Sequence, residues 1–173
     1  MKIVCIGGKA RHGKDTFAGY LKDALESKGN KVLIFHYGDA VKHICRSYFG
    51  WNGEKDVVGR TILQRVGTDI IRERDPNFWV DFGIRMFKAC YDEWDYVLIP
   101  DCRFPNELER LKEEGFDVAY FRVYRGENFD NGLSEEQKAH PSETALDEYE
   151  PDISIYNTFG LEQLEQMAWM FGG

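Results

Sequence analysis

Residues 3–21 read IVCIGGKARHGKDTFAGYL. A short apolar strand, Lys2 to Ile6, runs straight into a loop with glycines at 7, 8 and 13. Behind the loop Phe17, Tyr20, Leu21, Ala24 and Leu25 recur at helical spacing, and Gly29 supplies the stop. Glycines in such a turn let backbone N–H groups converge on one point, and the helix that follows directs its positive end at the same point. The spacing from Gly8 to Gly13 and Lys14 is that of a phosphate-binding loop, whose lysine reaches the terminal phosphates of a nucleoside triphosphate. Gly8, Lys9, Ala10, Arg11, His12, Gly13, Lys14, Asp15 and Thr16 are therefore the candidate nucleotide-binding residues. The pattern expects Ser or Thr after the lysine, as a magnesium ligand, where this chain has Asp15. A carboxylate beside a triphosphate is repelled unless a divalent cation lies between, so Asp15 is expected to act on magnesium through water. The competing role for Asp15 is to cap the helix and complement its dipole.

Moving outward, KVLIFHY (31–37) reads as a second buried strand, most simply parallel to the first across the intervening helix. This makes the opening an α/β unit. From about 39 to 93 the sequence is mostly helical: DAVKHICRSYFG with Asp39 as N-cap, GRTILQRVGTDIIRER closed by Pro76, and NFWVDFGIRMFKACYDEW. DYVLIPDCRF returns to a buried strand, a helix runs from about Pro105 to Glu114, and FDVAYFRVY, PDISIYN and LEQLEQMAWMF supply two more strands and a closing helix. Residues 125–150, RGENFDNGLSEEQKAHPSETALDEYE, are polar and lack apolar periodicity. A long excursion of this kind in a compact domain is a functional lid or a disordered loop.

The 173 residues suit one domain, with 43% hydrophobic and 30% charged residues, as in ordinary soluble proteins. A formal net charge of −8 argues against coating long nucleic acid, which draws on clustered Lys and Arg, but leaves small anionic substrates open. No apolar run approaches the roughly 18 residues that span a bilayer, and MKIVCIGGK has no signal-peptide pattern, so a cytoplasmic location without a membrane partner is expected. Cys5, Cys45, Cys90 and Cys102 are widely spaced and read as buried thiols rather than a metal site.

Chemistry gathers at a second place, VLIPDCRFPNE. A strand ending in Asp101 puts a carboxylate at the sheet edge that also carries the phosphate loop, where it would orient magnesium-bound water or hold an acceptor. Arg103 would neutralise phosphate there, unless the two only pair with each other. Arg60, Gln64 and Thr68 share one helical face, as a polar pocket requires, and Arg60, Arg65 and Arg72 are candidates to clamp an acceptor phosphate, with Arg122 and Arg125 entering the lid. Trp79 and Phe78 are candidates to stack on a base, although aromatics in an amphipathic helix usually pack the core. His12 is a candidate phosphate contact and His140 a lid residue; His36 and His43 read as structural.

Assembled, these residues resemble the phage deoxynucleoside monophosphate kinases, within the wider nucleoside monophosphate kinase group. The matching pieces are GGKARHGKDTFA, GDAVKHI, GRTILQRVGTDIIR, FWVD, PDCRFPNE, HPSE and DISIYN, in order over nearly the whole chain. The resemblance implies an α/β P-loop kinase domain spanning 1–173, three-layered, with a central, mainly parallel sheet, a helical acceptor-binding region at about 39–93 and a lid at about 125–150. It implies ATP and magnesium as donor, a deoxynucleoside 5′-monophosphate as acceptor and direct in-line transfer, and it suggests a homodimer. For a phage-encoded protein the location would be the host cytoplasm. Carried to matching positions, it places Lys14 and Thr16 on ATP phosphates and makes Arg122 and Arg125 lid candidates; together with the reading of the residues, Lys14, Asp101, Arg103 and Arg125 are the catalytic candidates and Arg122 a nucleotide-binding one. By the same resemblance Arg72 and Arg103, with Asp39, Gln64, Thr68 and Asp69, become acceptor-site candidates, and Arg60, Trp79, Glu107 and His140, Ser142 and Glu143 of HPSE complete the substrate-binding candidates. Asp15 and Asp101 would serve magnesium through water. Three other readings share parts of these features: a dephospho-coenzyme A or phosphomevalonate kinase, a kinase of modified bases within DNA, and a nucleotide-switch module. The last is disfavoured because the chain lacks an Asn-Lys-x-Asp element.

Overall fold

The opening strand, β1 (Lys2–Gly7), is the middle strand of a five-stranded sheet in the computed structural model, which describes residues 1–126 and 129–173. The other strands are β2 (Val32–Ile34), β3 (Tyr96–Ile99), β4 (Asp117–Tyr124) and β5 (Ile153–Tyr156), in the order β2-β3-β1-β4-β5. All four pairings are parallel; Val4 lies between Leu98 and Ala119. Because successive side chains of a strand face opposite ways, one apolar run fills two cores. Ile3 and Cys5 join Ile99 and Tyr120 on one face, while Val4 and Ile6 join Leu98, Phe121 and Ile155 on the other.

Helices close both faces. Phe17, Ala18, Leu21 and Leu25 of α1 (Lys14–Glu26) pack with Leu164 and Ala168 of α9 (Leu161–Gly172) over the second core. Trp79, Val80, Ile84 and Phe87 of α5 (Phe78–Ala89), with Leu108 and Leu111 of α6 (Pro105–Glu113), cover the first. Each fully buried large side chain, such as Phe17 or Phe87, contributes about 2 kcal/mol by leaving water. The three layers and the parallel sheet are those expected from the sequence.

Three details differ. The second strand is only Val32–Ile34, and the next helix, α2 (Tyr37–Tyr48), begins two residues before Asp39. Asp39 is therefore not an N-cap. The Asp101 carboxylate, at the end of β3, accepts from the Tyr37 and Gly38 N–H groups at 3.2 and 2.7 Å and so starts the helix from another strand. The middle helix is also not uniform: α3 (Val57–Gln64) passes through a π-helical segment, Arg65–Ile70, into α4 (Ile71–Arg74). The indole N–H of Trp79 donates to the Gly67 carbonyl at 2.9 Å within this segment. Positions four apart drift round an α-helix, which has 3.6 residues per turn; the wider π turn offsets that drift and keeps Thr68 and Arg72 on the side of Arg60 and Gln64.

The polar excursion carries two short helices, α7 (Glu135–Ala139) and α8 (Pro141–Thr144). Ser134 caps α7 by accepting from Gln137 N at 3.2 Å, and the Gln137 side chain donates to Val57 O at 3.3 Å, which ties the segment to α3. Glu127 and Asn128 of the expected lid lie outside the described residues. No helix among the described residues is long and apolar enough to cross a membrane.

Candidate active site

The loop between β1 and α1 has the backbone its glycines predict. Gly8 has φ +136°, and a Cβ there would run into the Val123 carbonyl oxygen; Gly13 has φ +101° and would place a Cβ 2.7 Å from the Asn157 amide nitrogen. Both positions therefore need glycine. Arg11 also takes a positive φ, 61°, a strained value for a residue with a side chain, and it marks a loop shaped for more than connection. The N-cap of α1, Gly13, has no side chain to cap the first turn, which leaves its N–H groups for an anion.

Lys14 is 6% exposed, and its ammonium donates to the Gly8 and Lys9 carbonyls of its own loop, each at 2.8 Å. Burial, and then Arg103 nearby, push its pKa down to about 8. Asp15 bonds His36 through Nε2 at 2.9 Å, which holds the Asp15 carboxyl below and the His36 imidazole above their ordinary values. His36, expected to be structural, is thus part of the site. Half-buried Asp101 is pushed upward by desolvation, against the Gly38 N–H bond.

In front of the loop lies a cavity of about 740 Å³. The loop contributes Ala10, Arg11, Lys14 and Asp15; the middle helix contributes Arg60, Gln64, Thr68 and Arg72; and the end of β3 contributes Asp101 and Arg103. Ser142 and Glu143 close it from the excursion. Trp79 borders the cavity but is 2% exposed and bonded to Gly67, so it is a core residue forming a wall. Phe104, which the sequence did not single out, provides an aromatic wall, with the Arg72 guanidinium 4.3 Å above its ring.

Other candidates lie elsewhere. Glu107 is fully buried beneath the cavity, where its carboxylate pairs with Arg72 and accepts from the Arg103 and Phe104 N–H groups at 2.7 and 3.2 Å. It positions the arginines and has no open face toward a substrate. Asp69 and His140 pair at 3.1 Å at the edge, with Asp69 in an adjoining groove of about 450 Å³. Asp39 is exposed and bonds Lys42 at 2.7 Å. The His12 ring turns back to Val123 O at 3.2 Å. Arg122 is buried and does not line the cavity; it pairs with Asp147 at 2.6 Å and donates to the Leu146 carbonyl. Arg125 donates to Arg11 O at 3.1 Å and, with Gly13, Thr16, Asn157 and Gly160, lines a smaller cavity of about 300 Å³ that shares Arg11, Lys14 and Asp15 with the main one.

Lys42, which lies within GDAVKHI, and Lys55 also line the main cavity, and neither was singled out as a site residue from the sequence. Lys55 has its pKa lowered by burial and then by Lys42, and among the described residues its ammonium has no hydrogen-bond or ion-pair partner. With Arg11, Lys14, Arg60, Arg72 and Arg103 these lysines outnumber the lining carboxylates Asp15, Glu54, Asp56, Asp101 and Glu143, so the hollow has a cationic excess in a chain of net charge −8. Such a hollow concentrates polyanions. Among the described residues no group of three His, Cys, Asp or Glu side chains could hold a metal ion by itself.

A family model described as deoxynucleotide monophosphate kinase matches residues 26–167. A comparison with curated proteins finds no match. Among solved structures, the APS kinase of Mycobacterium tuberculosis in complex with AMPPNP and APS superposes with a TM-score of 0.53 at 12% identity, covering 99% of this chain and 98% of that one. An unliganded sugar kinase from Janibacter sp. gives 0.54 at 14% identity, covering 99% and 91%. At these identities the likeness is one of fold.

Proposed function

The chain belongs to the deoxynucleotide monophosphate kinase family, and from that premise we propose that its cavity passes the γ-phosphoryl group of ATP directly to a deoxynucleoside 5′-monophosphate, giving ADP and the diphosphate. The carrying observation is the position of the cations. Lys14, Arg60, Arg72 and Arg103 all line one cavity of about 740 Å³, which suits a donor held by Lys14 and an acceptor held by the three arginines. Phosphoryl transfer needs little covalent chemistry from the protein, so holding two polyanions in line and neutralising their charge is most of the catalysis.

In this reading the N–H groups of the loop and of the first turn of α1 receive the triphosphate, and Lys14 exchanges its two loop carbonyls for phosphate oxygens. Arg72, braced by Glu107 and Phe104, and Arg103 hold the acceptor phosphate, with Arg60 beside them. Thr68 and Gln64 offer hydrogen bonds to the acceptor. Thr16 and Arg125, in the smaller cavity that also borders Lys14, are assigned to the nucleotide. The excursion 129–150, which already presents Leu133, Ser142 and Glu143 to the cavity, would close over it and exclude water.

The oxygen-rich but sparse donor set suits magnesium that stays hydrated and is held mostly by phosphates. Asp15 and Asp101 are the residues that would hold its water: Asp15 has one oxygen engaged by His36, and Asp101 gives each oxygen to one N–H of the α2 backbone and keeps further lone pairs. When bound, magnesium offsets charge on the phosphate oxygens.

The ADP released with each of the four common deoxynucleoside monophosphates, and with their ribose counterparts, tests the reading. Turnover with at least one deoxynucleotide is expected; none with any of the eight would sink it. A pH series adds a second check. The Lys14 pKa is lowered, so the free protein carries this cation below about pH 8 and loses it above. The kcat/KM for ATP, which reports the free protein, is expected to fall above about pH 8, and Lys14→Arg to remove that limb. A profile flat to pH 10 in the unsubstituted protein would contradict the assignment.

A further inference from the structure

One carboxylate touches both halves of the cavity. Glu143, at the start of α8, has its side chain 5% exposed. Its Oε2 accepts from the Ala10 N–H of the phosphate loop at 2.9 Å, and its Oε1 pairs with Nη1 of Arg103 on the acceptor side. The same short segment is fastened to each half again. Lys9 donates to the Glu143 carbonyl at 2.7 Å, and Arg103 donates to the Ser142 carbonyl at 2.7 Å. Desolvation pushes the Glu143 carboxyl up, but Arg103 and the Ala10 N–H together outweigh it and hold the carboxyl below the usual range, so it is an anion where it sits.

A buried anion held by a loop N–H and a guanidinium occupies the kind of position a phosphate oxygen would take. An incoming triphosphate competes for the Ala10 N–H, and an incoming monophosphate competes for Arg103. Both bonds end on one rigid group, so losing either changes the worth of the other, and linkage makes the effect reciprocal. Resting on the reading of the cavity as a deoxynucleotide kinase site, we infer that Glu143 is a positioning residue that couples the two subsites. With the loop empty, Glu143 keeps Arg103 paired and withheld from the acceptor. With triphosphate on the loop, Glu143 loses its second anchor and Arg103 turns to the acceptor phosphate. Donor occupancy therefore primes the acceptor site, and acceptor occupancy raises affinity for the donor by the same factor.

The test is a thermodynamic cycle. Dissociation constants for the four common deoxynucleoside monophosphates are measured by calorimetry with and without saturating AMPPNP and magnesium, in the unsubstituted protein, in Glu143→Gln and in Asp147→Asn. Glutamine keeps the side-chain volume but not the charge. Asp147 ties the same segment to Lys9 at 2.6 Å and to Arg122, yet has no bond to Arg103, so its loss loosens the strap without touching the link. AMPPNP is expected to tighten acceptor binding by about tenfold in the unsubstituted protein and in Asp147→Asn. In Glu143→Gln the two constants should agree within about twofold, with the acceptor bound more tightly than normal when AMPPNP is absent. Coupling that survives Glu143→Gln, or that is lost equally in Asp147→Asn, would overturn the inference and leave the kinase reading intact. Absence of acceptor binding in the unsubstituted protein would overturn both.

Discussion

Lys14→Met lowers kcat by about 10³-fold, the scale of losing one preorganised charge aimed at the transferring group. Methionine keeps the buried stem and removes only the ammonium, whose partners here are the Gly8 and Lys9 carbonyls. Those two hydrogen bonds are lost, but so is the cost of burying a cation at 6% exposure, and the two effects oppose each other. Stability should accordingly change by no more than about 1 kcal/mol in urea, with the circular dichroism spectrum unaltered. Steady-state ADP release supplies the rate. Activity within tenfold of normal in a folded Lys14→Met protein would remove Lys14 from the mechanism.

The largest stability loss is expected from Glu107→Gln. The Glu107 side chain is 1% exposed and receives three donors: Arg72, Arg103 N and Phe104 N. An amide has one oxygen and one NH2, so whichever way it turns, its NH2 meets another donor. Arg72, 11% exposed, would then be left without its counter-ion. Breaking a buried pair in this manner costs about 3–5 kcal/mol, a large share of a domain's stability. The KM for the acceptor should rise as well, because Arg72 and the backbone at Arg103 are both set by this carboxylate. A loss under 1 kcal/mol by urea unfolding would show that the ion pair is not the brace described.

The sequence carries what is local. Glycine spacing and a strand-to-helix switch specify the loop within the first 21 residues, and the loop adopts the predicted backbone. Apolar runs disclose the strands because a parallel sheet buries both faces, and Ile3 through Ile6 do feed two cores. Arg60 and Gln64 share a face through their four-residue spacing, which is legible in the sequence, whereas Thr68 is kept on that face by the π-helical turn, which is not. Contacts between distant segments are not legible in this way. Asp101 ends its strand as expected, yet its partners are the N–H groups of Tyr37 and Gly38, 64 and 63 residues earlier, which is why Asp39 looked like the cap. His36 joins the site only because α1 and α2 bring it to Asp15. Arg122 looked like a lid cation and instead holds the segment around Asp147 from inside. The link from Glu143 to Ala10 spans 133 positions, and no spacing rule extends so far.

The destination of the γ-phosphorus distinguishes a kinase from every other use of a phosphate loop. Phosphorus-31 spectra of a reaction containing ATP, magnesium and a deoxynucleoside 5′-monophosphate follow that atom directly. Transfer through this cavity predicts that ADP and the deoxynucleoside diphosphate rise in equal amounts while inorganic phosphate stays flat. Inorganic phosphate rising with ADP while the monophosphate remains untouched would contradict it.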